Sequence, residues 1–260
     1  MATTPTKTPK ADPLMVQSVA KAFKVLQAFD AQHPAMTLSE IAQQADLDLS
    51  AAQRFAHTLQ QLGYLLKHPG TRQFSLSLKS LDLAYHYRLS SQLVNRAMPV
   101  LHHVSKETEE TVNLTVLDGT EVVYLERIQS RHVLATNVTT GTRLPAYCLS
   151  PGRAILSRLP NDIACSVIAA SDLVKHTSHT ETDPDRLIDL IEAARQQGYA
   201  ACFEELYHGD ASIAAPILGP DSQAIGAISI ATTLSRFSRE EVVERYAKLI
   251  ISAARSVSAY

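Results

Sequence analysis

Residues 37–64, TLSEIAQQADLDLSAAQRFAHTLQQLGY, carry the clearest fold signal in the first third of the chain. Thr37-Leu38-Ser39-Glu40 has the spacing of a capping box, so a helix is predicted to begin at Leu38. Asp46-Leu47-Asp48 then interrupts the apolar pattern with two turn-forming acids. A longer helix is predicted from Ser50 to Leu62, and Gly63 suits the left-handed residue that ends it. This order of short helix, tight turn and longer helix is typical of a helix-turn-helix.

The flanking residues extend this motif to a winged helix-turn-helix domain over residues 16–78. Residues 16–30 carry apolar side chains at three- and four-residue steps, which predicts an amphipathic helix in front of the motif. The side chains at these steps are Val19, Phe23, Leu26 and Phe29. Behind the motif, residues 64–66 and 72–76 are strand candidates joined by a turn-rich loop. Such a domain inserts its third helix into the major groove of DNA.

Polar residues on the predicted third helix can contact DNA. Arg54 can pair with guanine or clamp a phosphate, Gln53 can read adenine, and Ser50 can bind phosphate near the helix N-terminus. Lys67 and Arg72 in the hairpin would add contacts to the DNA backbone. The candidate DNA-binding residues are Thr37, Ser50, Ala51, Gln53, Arg54, His57, Lys67 and Arg72. Exposure to solvent is the competing explanation for a polar side chain at any one of these positions. For the domain as a whole, the alternative is a winged helix that binds a protein partner.

The charges of the 260-residue chain are divided unevenly along its length. The net charge is −2, but residues 1–80 carry +3 and the remainder carries −5. A basic first third is expected of a module that meets a polyanion. The composition, 45% hydrophobic and 19% charged, is that of a globular protein. The longest apolar stretches are far shorter than the roughly 20 residues of a membrane span. Because residues 1–13 also lack the apolar core of a signal peptide, we predict a cytoplasmic protein without membrane contact.

The sequence contains few signs of catalytic or metal chemistry. Its three cysteines form no CxxC pair, which argues against a disulfide framework or a zinc ribbon. The pairs His102-His103 and His176-x-x-His179 could bind a metal, although surface histidines are the simpler explanation. No G-x-S-x-G elbow, P-loop, HExxH motif or Rossmann fingerprint occurs. We therefore predict no cofactor and no metal, and an enzyme is the minor alternative.

The rest of the chain predicts a linker helix and one α+β domain. Residues 1–15 are predicted to be a disordered tail, residues 79–97 a linker helix with apolar residues at near-helical steps, and residues 98–260 the second domain. Pro99 fits the first turn of a helix running through Thr108. The predicted later elements are a hairpin turning at Asp118-Gly119, a strand from His132 to Val138, a helix from Pro184 to Gly198, strands at 212–218 and 225–231, and a helix capped by Ser238.

Several stretches of this sequence resemble the IclR-type transcriptional regulators. They are residues 17–29 (QSVAKAFKVLQAF), 37–64, 73–76 (QFSL), 111–127 (TVNLTVLDGTEVVYLER), 198–205 (GYAACFEE) and 209–216 (GDASIAAP). The run RLPAYCLSPGRA at 143–154 is most similar to the branch that governs catabolism of aromatic acids such as protocatechuate and hydroxybenzoate. The resemblance implies a DNA-binding homodimer that assembles further to a tetramer, with a GAF-like C-terminal α/β domain for a small organic effector.

The resemblance also implies where the effector binds. Carried over by position, the effector-binding residues are Val133, Tyr147, Cys148, Ser150, Pro151, Cys202, Asp210, Ser212 and Ser229. The three serines stand beside small residues, which leaves room for a flat ligand, although ordinary strand packing is the more frequent explanation for any single serine. We expect an aromatic carboxylate, with a non-aromatic keto- or dicarboxylic acid as the alternative.

A buried ligand carboxylate needs a cation or free amides. The helix beginning at Ser150-Pro151-Gly152 offers amides, and four arginines are available as cations. These are Arg127, Arg131, Arg143 and Arg153. Sequence alone leaves open which of them points inward.

Overall fold

The computed structural model describes residues 12–131 and 138–258. The chain divides between Leu89 and Ser90 into two compact units. The predicted tail over residues 1–15 lies mostly outside the described residues. In the described part of the chain, no helix combines the length and apolar character needed to cross a membrane.

The first unit contains a three-helix arrangement followed by a hairpin and a fourth helix. Its elements are α1 (Gln17–Gln27), α2 (Leu38–Gln44), α3 (Leu49–Gln61), β1 (Leu65–Lys67), β2 (Phe74–Leu76) and α4 (Ser80–Ser90). The capping box at the start of α2 is confirmed, because the Thr37 amide donates to the Glu40 carboxylate and the Glu40 amide donates to the Thr37 hydroxyl. Gly63 follows α3 with a φ of +84°, as its position predicts. The winged helix-turn-helix is therefore present.

The predicted apolar side of α1 is covered only towards its C-terminal end, where Leu26 packs against the core and Phe29 just beyond the helix is buried. Val19 and Phe23 are about half exposed, whereas Val25 is completely buried against α2 and α3. The helix carries apolar residues on more than one side, so periodicity alone identifies the helix without identifying the side that is covered. The hydrophobic core of the unit also includes Ile41 and Ala52.

The prediction of one linker helix over residues 79–97 is wrong in its bounds. The structure has two helices here, since α4 ends at Ser90 and α5 runs from Gln92 to Thr108. Ser91 separates them, and its hydroxyl accepts a hydrogen bond from the Val94 amide as an N-cap. Pro99 lies inside α5 and not in a first turn. Burial of Val94 and Leu101, at about 2 kcal/mol each, offsets the roughly 3 kcal/mol that an internal proline costs.

The second unit is built around one antiparallel sheet. Its further elements are β3 (Thr111–Asp118), β4 (Glu121–Ile128), β5 (Arg143–Pro145), α6 (Ser150–Leu156), α7 (Asn161–Ala170), α8 (Pro184–Gln197), β6 (Ala200–Phe203), β7 (Asp210–Leu218), β8 (Ala224–Thr233) and α9 (Arg239–Val257). The strand order is β5-β4-β3-β8-β7-β6. Every neighbouring pair is antiparallel. The predicted α+β class is confirmed.

Helices cover both faces of this sheet. On one face α5 and α9 pack against residues such as Ile213 and Ile228. On the other face α6 and α8 pack against Ala214 and Ala227. Successive residues of a strand point to opposite faces, so the large Ile213 and the small Ala214 serve different layers. The small residues allow α6 to approach the sheet closely, and this face carries the site described below.

Most other predicted elements are present. Gly119 has a φ of +63° in the two-residue β3–β4 turn, and Gly198 ends α8 with a φ of +83°. Ser238 forms a capping box with Glu241 at the start of α9. The sequence patterns did not predict β5, α7 or β6. Apart from Val138, the predicted strand from His132 to Val138 lies outside the described residues.

Candidate functional site

The exposed face of α3 carries a row of polar side chains. Ser50, Gln53, Arg54 and His57 are all exposed. They lie at three- and four-residue steps, which places them on one side of the helix. The opposite side, which includes Ala52, is buried. The polar face is therefore free to meet another molecule while the apolar face holds α3 in the domain.

Two predicted DNA-binding residues have different surroundings. Ala51 is only 3% exposed, and its amide donates a 2.8 Å hydrogen bond to the Asp48 carboxylate that caps α3. The structure therefore contradicts the prediction of a DNA contact by its side chain. Thr37 donates from both its amide and its hydroxyl to the Glu40 carboxylate, at 2.7 and 2.9 Å. Its polar groups thus serve the start of α2.

The hairpin presents two cations. Lys67 ends β1 and Arg72 stands in the connecting loop with a φ of +57°, and both are exposed. The Lys67 ammonium lies 5.6 Å from the centre of the Phe74 ring, within the range of a cation–π contact. The predicted wing residues are therefore available at the surface.

A groove between α1 and α3 adds a cation that the sequence prediction missed. Lys21 of α1 lines this groove together with Arg54, Asp48 and Thr58 of the α3 region. The signal in the sequence was a lysine on the polar side of the first helix. A single lysine on a solvated helix face does not by itself indicate a DNA contact.

In the second unit, a cavity lies between the sheet and the start of α6. Its walls combine polar strand residues, two tyrosines, an arginine and a carboxylate. The lining residues are Thr111, Asn113, Tyr124, Arg127, Val138, Leu144, Leu149, Pro151, Leu206, Tyr207, Asp210, Ser212, Ser229, Ala231, Thr232 and Thr233. Of the predicted effector residues, Pro151, Asp210, Ser212 and Ser229 are among them.

Hydrogen bonds across the strands order the polar side of this cavity. Arg127 of β4 donates to the side-chain oxygen of Asn113 at 3.1 Å, and Asn113 donates to the Ser229 hydroxyl at 3.2 Å. Ser150 of α6 is fully buried and donates to the Ser212 hydroxyl at 2.9 Å. Ser150 is thus joined to the cavity through Ser212.

Arg127 is the arginine that reaches the cavity. Arg143 forms exposed ion pairs with Asp118 and Glu121. Arg153 is buried in an ion pair with Glu205. Arg131 is exposed.

Burial shifts the pKa values of the two charged groups in the cavity. Burial raises the pKa of Asp210 to about 6, while the nearby charge of Arg127 opposes this rise. Burial lowers the pKa of Arg127, opposed by Tyr124 and Asp210. Two strands separate β4 from β7, so the two backbones are roughly 14 Å apart. The desolvated guanidinium favours an anionic partner.

Three other predicted effector residues do not line the cavity. The buried Tyr147 hydroxyl donates to the Val174 carbonyl at 2.5 Å. Burial raises the pKa of the Cys148 thiol to about 12, which keeps it protonated at neutral pH. The Cys202 sulfur lies 3.4 Å from a guanidinium nitrogen of Arg153. Val133 lies outside the described residues.

The sequence prediction also missed several cavity residues. Asn113, Tyr124 and Tyr207 line the cavity but are not among the predicted effector-binding residues. The alternation of β3 and β4 could have identified Asn113 as a polar residue within an apolar strand. Nothing local identified Tyr207, since its position depends on the connection between β6 and β7.

The cavity enclosed by the described residues has a small volume. Its volume is about 50 Å³, whereas an engineered apolar cavity that holds benzene has roughly 150 Å³. An aromatic ring therefore requires the lining side chains to move apart. Tyr207 is 39% exposed and marks the side that is open to solvent.

Comparison with known proteins identifies the family. Residues 86–259 match the family described as "Bacterial transcriptional regulator IclR C-terminal", and residues 18–69 match the "IclR helix-turn-helix domain". The chain belongs to the IclR family. As a member of this family of transcriptional regulators it is not an enzyme, as its sequence predicts.

Individual relatives of this IclR-family chain are similar over nearly its whole length. The Pca regulon regulatory protein of Pseudomonas putida is 31% identical over 95% of this chain and 84% of its own. The regulator KdgR of Escherichia coli is 29% identical over 95% and 93%. An IclR homologue of Microbacterium hydrocarbonoxydans, solved in complex with 4-hydroxybenzoate, is 25% identical over 93% and 97%, with a TM-score of 0.80.

Proposed function

We propose that this IclR-family regulator binds operator DNA through α3 and the wing, and that a small aromatic carboxylate in the cavity controls the binding. The observation that carries the effector assignment is the position of Arg127. Arg127 lines a partly enclosed cavity together with Tyr124 and the more exposed Tyr207. A carboxylate can pair with the guanidinium while an aromatic ring packs against the tyrosines.

The DNA side of the proposal rests on the exposed face of α3. Ser50, Gln53, Arg54 and His57 form the reading face, and Lys67 and Arg72 of the wing contact phosphates. Lys21, in the groove beside Arg54, adds a further phosphate contact. Bound effector shifts the population between conformations that hold DNA with different affinity. The protein carries out this function in the cytoplasm.

The active form in this proposal is a homodimer. In α4, Leu81, Leu83, Tyr85, Tyr87 and Leu89 are each more than half exposed. An exposed apolar helix of this kind marks an interaction surface, and a second copy of the chain would cover it. A dimer also places two reading helices on one operator, which single copies do not. A measurement of molecular mass in solution by analytical ultracentrifugation tests both the dimer and the tetramer that the family resemblance implies.

A second candidate effector is a smaller, non-aromatic keto- or dicarboxylic acid. The cavity volume of about 50 Å³ favours it, because such an acid needs less movement of the walls than an aromatic ring does. Similarity alone does not favour either effector class, because the chain is matched at similar identity by regulators with different names. Arg127 would hold the carboxylate in either case.

A thermal-shift series separates the two effector classes. Benzoate, 4-hydroxybenzoate, protocatechuate and phthalate are compared with pyruvate and succinate, because a ligand of the native state raises the melting temperature by mass action. The proposal expects a concentration-dependent rise with an aromatic acid, and a changed gel shift of the upstream DNA at the same concentration. A rise with pyruvate or succinate alone would replace the aromatic assignment by the second candidate.

A further inference from the structure

Arg153 and Glu205 form a buried ion pair that is separate from the cavity lining. Two guanidinium nitrogens of Arg153 donate to the two carboxylate oxygens of Glu205 at 2.6 and 2.5 Å. The side chains are 3% and 10% exposed. Such a parallel, two-bond contact fixes the relative orientation of the groups as well as their distance.

The backbone around the pair completes its hydrogen bonding. The Nε of Arg153 donates to the Tyr147 carbonyl at 2.7 Å. The Glu205 carboxylate also accepts from the Glu181 amide at 3.2 Å, and the Thr180 hydroxyl donates to the Glu205 carbonyl at 2.6 Å. Both charges are thus held by several segments of the unit.

The pair connects two segments that line the cavity. Arg153 belongs to α6, which contributes Pro151, and Glu205 is followed by Leu206 and Tyr207. The segment 204–209 between β6 and β7 is further shaped by Glu204, whose carboxylate accepts from the Gly209 amide at 3.0 Å. The ion pair is therefore a two-bond contact between α6 and this segment, each of which contributes to the cavity lining.

A buried ion pair is not explained by stability alone. Moving two charges out of water carries a large desolvation cost, and apolar residues of similar volume often stabilise a protein as well or better. A pair that fixes geometry has a role that apolar residues cannot reproduce, because apolar contacts are not directional.

We propose that the Arg153–Glu205 ion pair positions the segment 204–209 against α6 and thereby sets the affinity of the cavity for its effector. The proposal rests on the function proposed for the cavity. Arg153 and Glu205 act in it as positioning residues, since Leu206 and Tyr207 make the contact with the ligand.

The test compares variants that keep or remove the directional contact. In the double variant Arg153→Met/Glu205→Leu both charges are replaced by apolar groups, so that neither is left buried alone. Arg153→Lys keeps a charge and loses the two-bond fork. Arg143→Met is the matched control, because it removes an arginine from exposed ion pairs in the same unit.

Two measurements are made on each full-length variant. Amide hydrogen exchange without ligand is expected to accelerate at least tenfold in residues 204–209 while α9 is unchanged, which separates lost positioning from a general loss of stability. The dissociation constant for 4-hydroxybenzoate, measured by calorimetry, is expected to rise at least tenfold in both variants and to be unchanged in Arg143→Met.

The outcomes distinguish this inference from the proposed function. The positioning role is overturned if either folded variant keeps the wild-type rate of amide exchange in residues 204–209 and the wild-type affinity for 4-hydroxybenzoate. It is also overturned if amide exchange accelerates uniformly over the whole second unit. If the double variant does not fold, Arg153→Lys decides by the same criteria. If the wild-type protein binds no aromatic acid, the proposed effector class is wrong, and the exchange of residues 204–209 decides the inference by itself.

Discussion

Arg127 on β4 donates a 3.1 Å hydrogen bond to the side-chain oxygen of Asn113 on the neighbouring strand β3. This contact holds the guanidinium at the wall of the cavity. The side-chain amide of Asn113 in turn donates a hydrogen bond to the Ser229 hydroxyl of β8. The cationic side of the cavity is therefore built from three adjacent strands. A ligand carboxylate would meet a donor whose position is already fixed.

Replacing Arg127 by methionine should remove the response to the effector. Arg127→Met keeps much of the side-chain volume but cannot pair with a carboxylate, and a lost charge-assisted contact of this kind costs about 1.5–3 kcal/mol. We expect at least a tenfold weaker dissociation constant for the aromatic acid that stabilises the wild type. Isothermal calorimetry measures it, with Arg143→Met as the control. Equal losses in both variants would show that the effect is not specific to the cavity.

Asp210 should make the stability of the protein depend on pH. Burial raises its pKa in the folded protein from 3.8 to about 6. As pH rises, the Asp210 carboxyl therefore ionises in the unfolded chain before it ionises in the folded protein. The free energy of unfolding falls from about pH 4 upward, and the full loss of about 3 kcal/mol is reached above pH 6. The Asp210→Asn variant should gain melting temperature over the wild type in that interval and keep a constant gain at higher pH.

The same residue should affect binding of an anionic ligand. Once ionised, Asp210 repels a carboxylate in the cavity, so the affinity of the wild type should fall as pH rises through about 6. The Asp210→Asn variant should have no such fall. Calorimetric titrations at pH 5.5 and pH 7.5 measure both, and an identical pH dependence in the two proteins would rule out Asp210 as its source.

Arg54→Ala should weaken binding to the operator by about 1–3 kcal/mol, the usual value of one arginine–base contact. The side chain is exposed on α3, so the melting temperature of the protein should stay the same. Fluorescence anisotropy with operator DNA and with scrambled DNA measures the change. Lys106→Ala, which removes one exposed positive charge from the other compact unit, is the control. Unchanged discrimination between the two DNAs in Arg54→Ala would contradict the assignment of the α3 face.

Gly152→Ala should destabilise the second unit. A Cβ added to Gly152 would lie 2.1 Å from the Ala146 carbonyl oxygen, so the backbone at the start of α6 would have to shift. Overpacking of this kind costs about 1–3 kcal/mol or more. Urea unfolding measures the loss of unfolding free energy. The control is Ser166→Ala on α7, a change of similar size at an exposed position. A loss below about 0.5 kcal/mol would show that α6 can move freely at this point.

Much of the fold could be predicted because its signals are local. The capping boxes at Thr37 and Ser238, the left-handed glycines at 63 and 198 and the hairpin at Gly119 each depend on a few adjacent residues. The linker was predicted less well, because the apolar pattern over residues 79–97 continues through Ser91. The N-cap at Ser91 interrupts the helix without interrupting the pattern.

The candidate sites divide in the same way. The polar face of α3 follows from helical spacing, and four of the five side chains predicted on α3 are exposed there. Ala51 is the exception, because its position along α3 places its side chain on the buried side of the helix. In the second unit, Tyr147 and Cys148 are close in sequence to Pro151 but do not share its cavity, since the direction of their side chains is set by packing with other segments.

The order of the two modules, most helix ends, the hairpins and the family can be read from the amino-acid sequence, because caps, turns and periodicity act over a few residues. Which arginine enters the cavity and which is buried with Glu205 depends on the packing of the whole unit. Asn113 and Ser229 are 116 positions apart, and Arg153 and Glu205 are 52 apart. Strand pairing and helix packing bring such residues together, and each pairing depends on the whole set of contacts that forms the sheet.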